Sequence, residues 1–468
     1  MIGPSDSAIS VLNKLKRGRI SATELMIQTL DWIDGINPTV NALVAMRDAD
    51  ELLAEAQVAD QGSKTRSLHG LPIAIKDLVN VAGIRSTQGS KLFANHVPTE
   101  DDAMVARLRA AGAIVVGKTN TPEFGLGSHT FNEVYGVTKN PYDHSVTCGG
   151  SSGGAAVALA TGMLMIADGS DMMGSLRNPA GWNNVYGLRP SWGLIPSQPD
   201  GDTFLHQLAT LGPMARNPDD LSLLLDVMAA PDQYQPHGST QYFHPTGIDE
   251  TLENIRLAWL EDWGGQLPME DGIIAICQQA MQTFESLGAR IDRPPPPFNA
   301  EAMFQSWIAL RSWQVGVKLE PYIRSKNQIK ATAIWEFENG QSLSAFNVHA
   351  ASCVRSDWFR TATELLDEYD AFVLPTAQVW PFETTIEYPT QIGETKMDTY
   401  HRWMQVMVPA SLAGLPALAV PAGFSVAGLP MGLQLVGRRG ADRHLIAIAS
   451  RYHASTNWPE RQPPTIEE

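Results

Sequence analysis

The amino-acid sequence predicts an α/β protein. Patterns typical of amphipathic helices alternate with short apolar runs typical of buried strands. Apolar residues make up 44% of the 468-residue chain and charged residues 18%, so the chain can bury a large core and is neither disordered nor a coiled coil. Length alone allows two or three domains, although single α/β folds with large sheets also reach this size.

The first 60 residues or so are predicted to be helical. Ser21-Ala22-Thr23-Glu24 has the pattern of a capping box and opens an amphipathic run to Ile33. Residues 50–59 carry a second helical pattern. We expect both helices to pack outside the core.

A strand and a helix pattern follow. Residues 71–75 are apolar and predict a short buried strand. Residues 99–102 have the composition of a helix cap, and the helix they open is expected to run through Ala111 and end at Gly112. Residues 113–116 then predict a second buried strand.

The middle of the chain contains a long segment without periodicity. Residues 119–150 are rich in Gly, Asn, Pro and Ser, and loops of this length are usually functional or disordered. The Gly/Ser motif that follows favours a functional loop, since small residues let the backbone approach a substrate closely. Residues 152–162 predict a tightly packed helix of small residues.

The C-terminal half offers fewer signals. Residues 271–291 suggest a helix followed by a strand, and four consecutive prolines, residues 294–297, predict a stiff extended connector. We expect a helical-looking stretch at 301–369 to shape a pocket, and it contains Trp307, Trp313, Trp335 and Trp358.

Charge and cysteine content exclude several classes of protein. The net charge of −16 argues against a nucleic-acid partner. The N-terminus lacks a basic start followed by an apolar run, and no uninterrupted stretch of about 18 apolar residues occurs, so we expect a soluble protein without a membrane partner. Three widely spaced cysteines form no disulfide framework and fit the cytoplasm. No metal-ligand spacing is evident, and we expect neither a metal nor a cofactor.

Two serine turns and one lysine carry the chemistry. Ser151 lies in Cys148-Gly149-Gly150-Ser151-Ser152-Gly153-Gly154, and Ser175 follows 24 residues later in Asp171-Met172-Met173-Gly174-Ser175-Leu176-Arg177. Such turns hold hydroxyls and backbone N–H groups around one point, as acyl transfer requires. Lys76 ends the strand in Gly70-Leu71-Pro72-Ile73-Ala74-Ile75-Lys76-Asp77 and is the candidate base.

These motifs closely resemble those of the amidase signature family of serine hydrolases. Further similar segments are residues 118–125 (Lys-Thr-Asn-Thr-Pro-Glu-Phe-Gly), Gly187-Leu188-Arg189-Pro190-Ser191, Gly212-Pro213-Met214-Ala215-Arg216, Gly414-Leu415-Pro416-Ala417 and residues 428–437 (Gly-Leu-Pro-Met-Gly-Leu-Gln-Leu-Val-Gly). The resemblance implies a Ser-cisSer-Lys triad formed by Ser175, Ser151 and Lys76. It also implies hydrolysis of a small carboxamide or related C–N bond through an acyl-enzyme.

The same resemblance implies roles for the neighbouring residues. Ser152, Asp171 and Arg177 are expected to support the site through hydrogen bonds rather than react. The candidate oxyanion hole consists of four backbone N–H groups, those of Met172, Met173, Gly174 and Ser175.

The architecture implied is one domain over residues 1–468, with a mixed β-sheet covered on both faces by helices. Within it we expect peripheral helices at 1–65, a catalytic core at 70–220, a divergent substrate-shaping region at 240–400 and a return to the core at 405–455. The resemblance is also compatible with a homodimer that pairs through exposed helices.

A lysine serves as base near neutral pH only if its pKa falls from about 10.4 to roughly 7 or 8. We expect burial to cause that fall. The carboxylate of Asp77 would oppose it, but adjacent strand residues point to opposite faces, so Asp77 should turn away.

Several positions depart from the family pattern. Met173 stands where a second glycine is usual, and its side chain could narrow the acyl pocket or force a turn that methionine does not tolerate. Cys148 replaces a usual proline and is interpreted as a small buried residue rather than a nucleophile. Arg189 replaces a common lysine.

A phosphate-binding loop is one alternative for the Gly/Ser motif. The spacing of Gly149 and Gly154 matches such a loop. However, Ala155 and Ala156 stand where Lys and Ser or Thr are needed. The sequence therefore argues against nucleotide binding.

Two alternative functions share the serine and lysine motifs. The glutaminase subunit of a tRNA-dependent amidotransferase has the same motifs, although residues 122–125, Pro-Glu-Phe-Gly, differ from its usual sequence. A non-catalytic binding or scaffold protein is suggested by Met173. The retention of Lys76, Ser151 and Ser175 together argues against that second alternative.

Overall fold

The computed structural model describes residues 3, 5–197, 201–205, 208–238 and 251–465. Residues 240–250 of the expected substrate-shaping region lie outside them. So do residues 198–200 and 206–207 of the expected core, and residues 1, 2 and 4 of the expected N-terminal helices.

The helices occur along the whole described chain. They are α1 (Ala8–Lys16), α2 (Ala22–Val40), α3 (Ala49–Gln61), α4 (Ala103–Ala110), α5 (Gly153–Ala160), α6 (Arg177–Trp182), α7 (Pro218–Met228), α8 (Ile273–Ser286), α9 (Ala300–Leu319), α10 (Ala331–Gln341), α11 (Ala345–Glu368), α12 (Val408–Ala413), α13 (Asp442–Thr456) and α14 (Trp458–Arg461).

The strands alternate with these helices. They are β1 (Leu43–Val44), β2 (Pro72–Lys76), β3 (Ile114–Thr119), β4 (Phe131–Asn132), β5 (Gly136–Val137), β6 (Lys139–Asn140), β7 (Asp143–Thr147), β8 (Ile166–Asp171), β9 (Tyr186–Arg189), β10 (Thr210–Ala215), β11 (Arg256–Trp259), β12 (Arg290–Asp292), β13 (Ala371–Pro375), β14 (Gln391–Ile392), β15 (Thr395–Lys396), β16 (Ala417–Phe424) and β17 (Pro430–Val436).

A mixed sheet organises the molecule and confirms the predicted α/β class. Within the described residues its strand order is β12-β11-β13-β17-β16-β9-β10-β8, with β11 parallel to β12 and β13 and the other neighbours antiparallel. Helices pack against the sheet, among them α6 against β16 and β17. One large apolar core runs through helices and sheet, as expected for a single domain.

A second, smaller sheet delivers Lys76. Its strand order is β1-β3-β2, with β2 parallel to β3. Strand β2 is buried at all five positions, because residues 72–75 are apolar or proline and Lys76 is enclosed as well. Strand β2 lies at the edge of the small sheet and β8 at the edge of the large one, and the two strands contact each other.

The N-terminal helices follow their sequence signals. The Ser21 side chain accepts from the Glu24 N–H, and the Glu24 carboxylate accepts from the Ser21 N–H, which confirms the capping box. Helix α2 extends past Ile33 to Val40, because Ile36 and Val40 continue its buried face. Helix α3 contains the predicted segment 50–59.

The cap before α4 differs from its prediction. The helix begins after Asp102 as expected, but the Asp102 side chain makes no capping hydrogen bond. The carboxylates of Asp101 and Asp102 accept instead from the N–H groups of Ala82 and Asn80. These acids therefore fix the loop after β2 rather than the start of the helix.

Later predictions are matched closely. Helix α8 and strand β12 occupy the expected helix and strand before the proline run, and α9, α10 and α11 fill the helical stretch. Residues 119–150 contain the short pairs β4–β5 and β6–β7, which are too brief to leave a period in the sequence. None of the helices in the described part of the chain is long and apolar enough to cross a membrane.

Helix α5 shows how tightly the core around the site is packed. A Cβ on Gly154 would lie 2.3 Å from the Asn120 nitrogen and 2.6 Å from the Ala42 carbonyl oxygen. We predict that Gly154→Ala lowers the free energy of unfolding by about 1–3 kcal/mol, since backbone on both sides must move. Chemical denaturation measures the change.

Gly35→Ala is the matched control. Gly35 lies inside α2 with nothing within 4 Å of an added Cβ, so alanine should stabilise the protein by about 0.5–1 kcal/mol. Equal effects of the two substitutions would contradict the close packing of α5.

Candidate active site

Lys76 meets three hydroxyl groups in a fully enclosed position. Its Nζ lies 2.8 Å from Ser151 Oγ, 2.8 Å from Ser152 Oγ and 3.0 Å from Ser170 Oγ. Lys76 is 0% exposed. An ammonium donates to all three oxygens, whereas an uncharged amine donates to two of them and accepts a hydrogen bond from the third hydroxyl.

Burial lowers the pKa of Lys76 to about 7, while the negative charges of Asp168 and Asp171 act to raise it. The amine is therefore substantially uncharged near neutral pH. Removal from water causes this, as the apolar approach through residues 73–75 predicts.

Asp77 turns away from the amine, as expected from strand alternation. Its carboxylate accepts from the N–H and hydroxyl of Thr87 and interacts with Lys118. The charges that act on Lys76 are instead those of Asp168 and Asp171.

The loop that carries Ser151 is held from both sides. The Thr130 hydroxyl donates to the Gly149 carbonyl at 2.8 Å, and the Gly150 N–H donates to the Asn178 Oδ1 at 3.3 Å. Gly149 has a φ of +78°, which favours glycine, and the Gly150–Ser151 peptide bond is cis. In this loop the Ser151 side chain faces Lys76.

Ser175 lies in the adjoining loop between β8 and α6. The Ser152 N–H donates to the Ser175 carbonyl at 3.1 Å, so the two serine loops are bound to each other. Ser175 itself is 8% exposed. The structure thus brings together the three sequence-predicted segments that carry Lys76, Ser151 and Ser175.

Asp171 braces the Ser175 loop. Its carboxylate accepts from the Gly174 and Leu176 N–H groups at 2.8 and 3.2 Å and from the Arg177 guanidinium at 3.0 Å. Arg189 contacts the same carboxylate at 3.2 Å. Burial acts to raise the pKa of Asp171, but the two arginines hold it well below its ordinary value. The side chains of Asp171 and both arginines are fully buried.

The candidate oxyanion hole needs one correction. The Gly174 N–H is taken by Asp171, because the turn at Gly174, with a φ of +86°, aims it at that carboxylate. The N–H groups of Met172, Met173 and Ser175 have no acceptor within the residues described, and they stay as candidates.

Met173 occupies its position without adopting the left-handed backbone conformation that only glycine tolerates easily. Its φ is not positive, unlike that of Gly174. Its side chain is 3% exposed and belongs to the apolar core. Methionine here therefore neither forces a left-handed turn nor projects into solvent beside the serines.

Cys148 behaves as a small buried residue. Its Sγ lies 3.6 Å from the Gly149 carbonyl oxygen, and burial raises the pKa of the thiol to about 12. A thiol with that pKa stays protonated and is a poor nucleophile.

Sequence reasoning missed three neighbours of Lys76 and Asp171. Ser170 contacts the amine, Asp168 accepts from the Lys76 main chain, and Arg189 stands out in the sequence only as a departure from the family pattern. Residues 168 and 170 are two apart on β8 and so share one face. That spacing was the available signal, but it does not reveal that β2 lies opposite.

A small cavity adjoins the serine loops. Its lining includes Leu126, His129, Lys330, Tyr388, Tyr400 and Trp403. Leu126 follows Gly125, where a Cβ would lie 3.5 Å from Ser151 Oγ. Lys330, Tyr388 and Tyr400 of this lining lie within residues 240–400, whereas the four tryptophans of the 301–369 stretch are not part of it.

Arg311 connects the cavity lining to the Ser175 loop. Arg311 donates to the Tyr400 hydroxyl at 2.7 Å and lies 3.3 Å from Met172 Sδ. Arg311 also pairs with the buried Glu336 of α10. In the described part of the chain, no group of three or more His, Cys, Asp or Glu side chains is placed to hold a metal ion.

A buried lysine amine lies against two serine loops that are joined by a hydrogen bond. In such an arrangement a lysine, rather than a histidine, can act as the general base for a serine nucleophile. Comparison with known proteins identifies the family of the chain. A sequence profile of the amidase family matches residues 24–446.

Two curated relatives and one solved structure illustrate the similarity. The chain is 32% identical to an acylamidase of Rhodococcus erythropolis, over 98% of this chain and 97% of that one. It is 31% identical to a glutamyl-tRNA(Gln) amidotransferase subunit of Saccharolobus solfataricus, over 94% and 95% of the two chains. A bacterial aryl acylamidase structure superposes with a TM-score of 0.91 at 24% identity, over 99% of each chain. The chain belongs to the amidase family and is an amide-hydrolysing enzyme.

Proposed function

We propose that the protein hydrolyses a small carboxamide or related C–N bond through an acyl-enzyme on Ser175. The observation that carries the proposal is the fully buried Lys76 amine, 2.8 Å from the Ser151 hydroxyl in a loop bound to the Ser175 loop. Amides need this machinery because their carbonyl is a poor electrophile and their nitrogen a poor leaving group.

The reaction begins with attack of Ser175 Oγ on the amide carbonyl. The Ser175 proton passes to Ser151, whose own proton passes to the uncharged Lys76 amine. The tetrahedral oxyanion accepts hydrogen bonds from the N–H groups of Met172, Met173 and Ser175. Losing one such donor typically costs about 10²- to 10³-fold in rate.

The same relay runs backward to complete acylation. The Lys76 ammonium returns a proton through Ser151 to the departing nitrogen, which leaves as ammonia or an amine. Water then attacks the acyl-Ser175 ester and gives its proton to the relay, which restores Ser175. Asp171 and Arg177 take no proton and keep the loop in shape, and Ser152 keeps the amine in place.

The surroundings fit a small-molecule substrate. We assign the shaping of the substrate pocket to the described part of residues 240–400, since Lys330, Tyr388 and Tyr400 line the cavity near the Ser151 loop. The strongly acidic chain makes a nucleic-acid partner unfavourable. Three free cysteines fit a cytoplasmic protein, and a homodimer remains part of the proposal.

A fluorophosphonate probe tests Ser175 directly. We predict that the wild-type protein is labelled, that Ser175→Ala is not, and that this variant loses at least about 10³-fold of its amide hydrolysis. Ser145→Ala is the control. Ser145 is exposed on β7, so its substitution should leave labelling unchanged. Equal labelling of Ser175→Ala and wild type would remove Ser175 as the nucleophile.

The second candidate is the glutaminase subunit of an amidotransferase. It is favoured by amidotransferase relatives, such as the glutamyl-tRNA(Gln) amidotransferase subunit of Thermus thermophilus, 33% identical over 95% of this chain. Identity does not separate the candidates, since the acylamidase relative is 32% identical.

A substrate panel separates them. We predict that the purified chain alone releases ammonia or amine from at least one of a set of aliphatic, aromatic and carboxylate-bearing amides, with Ser175→Ala as the blank. The physical reason is that both serine loops and Lys76 are supplied by this chain. Glutamine hydrolysis that requires a second protein, with no other amide cleaved, would favour the glutaminase instead.

A further inference from the structure

Asp168 links the edges of the two sheets at the base residue itself. It lies on β8, the edge strand of the large sheet, and its Oδ1 accepts from the Lys76 main-chain N–H at 2.9 Å. Lys76 ends β2, the edge strand of the small sheet. Since Ser170 on the same face of β8 contacts Lys76 Nζ, one face of β8 touches both ends of the lysine.

The link to the Lys76 main chain involves only one of the two oxygens of the Asp168 carboxylate. Asp168 is 0% exposed, and its Oδ2 has no hydrogen-bond partner in the described chain. A buried carboxylate oxygen without a partner is costly unless a charge compensates it. Two buried lysines supply that charge, Lys76 from β2 and Lys118 from β3.

We propose that Asp168 is a positioning residue for the hydrolysis reaction, which fixes the main chain of Lys76 against β8 and stabilises the Lys76 ammonium that forms when the serine relay gives up its proton. This inference rests on the proposed function. It adds a group that touches neither substrate nor nucleophile and acts through the base.

The charged groups around Lys76 and Asp168 determine whether Asp168 stabilises or destabilises the Lys76 ammonium. Lys76 faces Asp168 and Asp171, and Lys118 faces Asp77, Asp101, Asp102 and Asp168. Asp171 is held by Arg177 and Arg189, whereas the charges that act on Asp168 are those of the two lysines. Burial raises the pKa of Asp168 to about 6 against the opposing effects of Lys118 and Lys76, so its carboxyl is mostly ionised at pH 7.

The proton balance follows directly. In acylation, one proton leaves Ser175, and the Lys76 amine becomes an ammonium while the oxyanion carries the negative charge. Asp168 stays ionised throughout and gains an attractive interaction in this step. When the leaving group departs, the ammonium returns the proton, and that attraction is lost again.

Asp168→Asn removes the charge and keeps an oxygen that can accept from the Lys76 N–H. The acid limb of the pH profile of kcat/KM, where activity falls as Lys76 becomes protonated, should move to lower pH by about one unit. The pKa of Lys76 falls because the ammonium is less stable without the charge of Asp168. The plateau rate should fall, since a weaker base takes the serine proton less readily. Asp168→Ser, which also lacks the charge, is the second variant and should move the limb in the same direction.

Asp220→Asn is the matched control. Asp220 is a buried carboxylate that accepts from the N–H groups of Ala8 and Ile9 in α1 and is not among the charges that act on Lys76. Its loss should lower stability and leave the acid limb in place. A purely structural Asp168 would behave likewise, so an unmoved limb in folded Asp168→Asn or Asp168→Ser overturns the inference.

The two proposals fail in different ways. If Ser175→Ala stays inactive while the Asp168 variants keep the wild-type limb, only the role of Asp168 is wrong. If Ser175→Ala hydrolyses amides as the wild type does, the proposed function itself is wrong.

Discussion

Everything at this site depends on keeping one lysine amine out of water. In solution a lysine is an ammonium at neutral pH and has no lone pair to offer. Enclosing Lys76 among apolar strand residues and three serine hydroxyls brings its pKa to about 7. The hydroxyls satisfy its N–H groups, so the amine can be buried without being left unpaired.

The fold meets this constraint where the edges of its two sheets touch. Strand β2 delivers the lysine from the small sheet, and β8 leads from the large sheet into the Ser175 loop. Asp171, with two buried arginines, sets the shape of that loop, and the Ser152 N–H fastens it to the neighbouring serine loop. The negative charge of Asp171 is thus near the amine but committed to arginines, so burial dominates the pKa of Lys76.

The sequence predicts local features well and spatial neighbours poorly. The capping box at Ser21 and the strand ending at Lys76 depend on contiguous residues, and both are found where expected. The approach of Ser170 and Asp168 to Lys76 depends on which strand lies beside β2, more than 90 residues away along the chain, and no period encodes that. The direction of the Gly174 N–H likewise follows from a turn conformation rather than from residue type. The cavity lining comes from segments 126–131 and 330–403, which only the fold brings together.

The most direct measurement is the titration of Lys76 itself. In protein labelled with ¹³C at the lysine ε-carbon, the Lys76 resonance can be assigned by its loss in Lys76→Met and followed with pH. The account predicts a midpoint near pH 7, about three units below that of an exposed lysine. A midpoint near the ordinary value of about 10.4 would mean that the amine is charged whenever the enzyme is at neutral pH, and would contradict its role as the base.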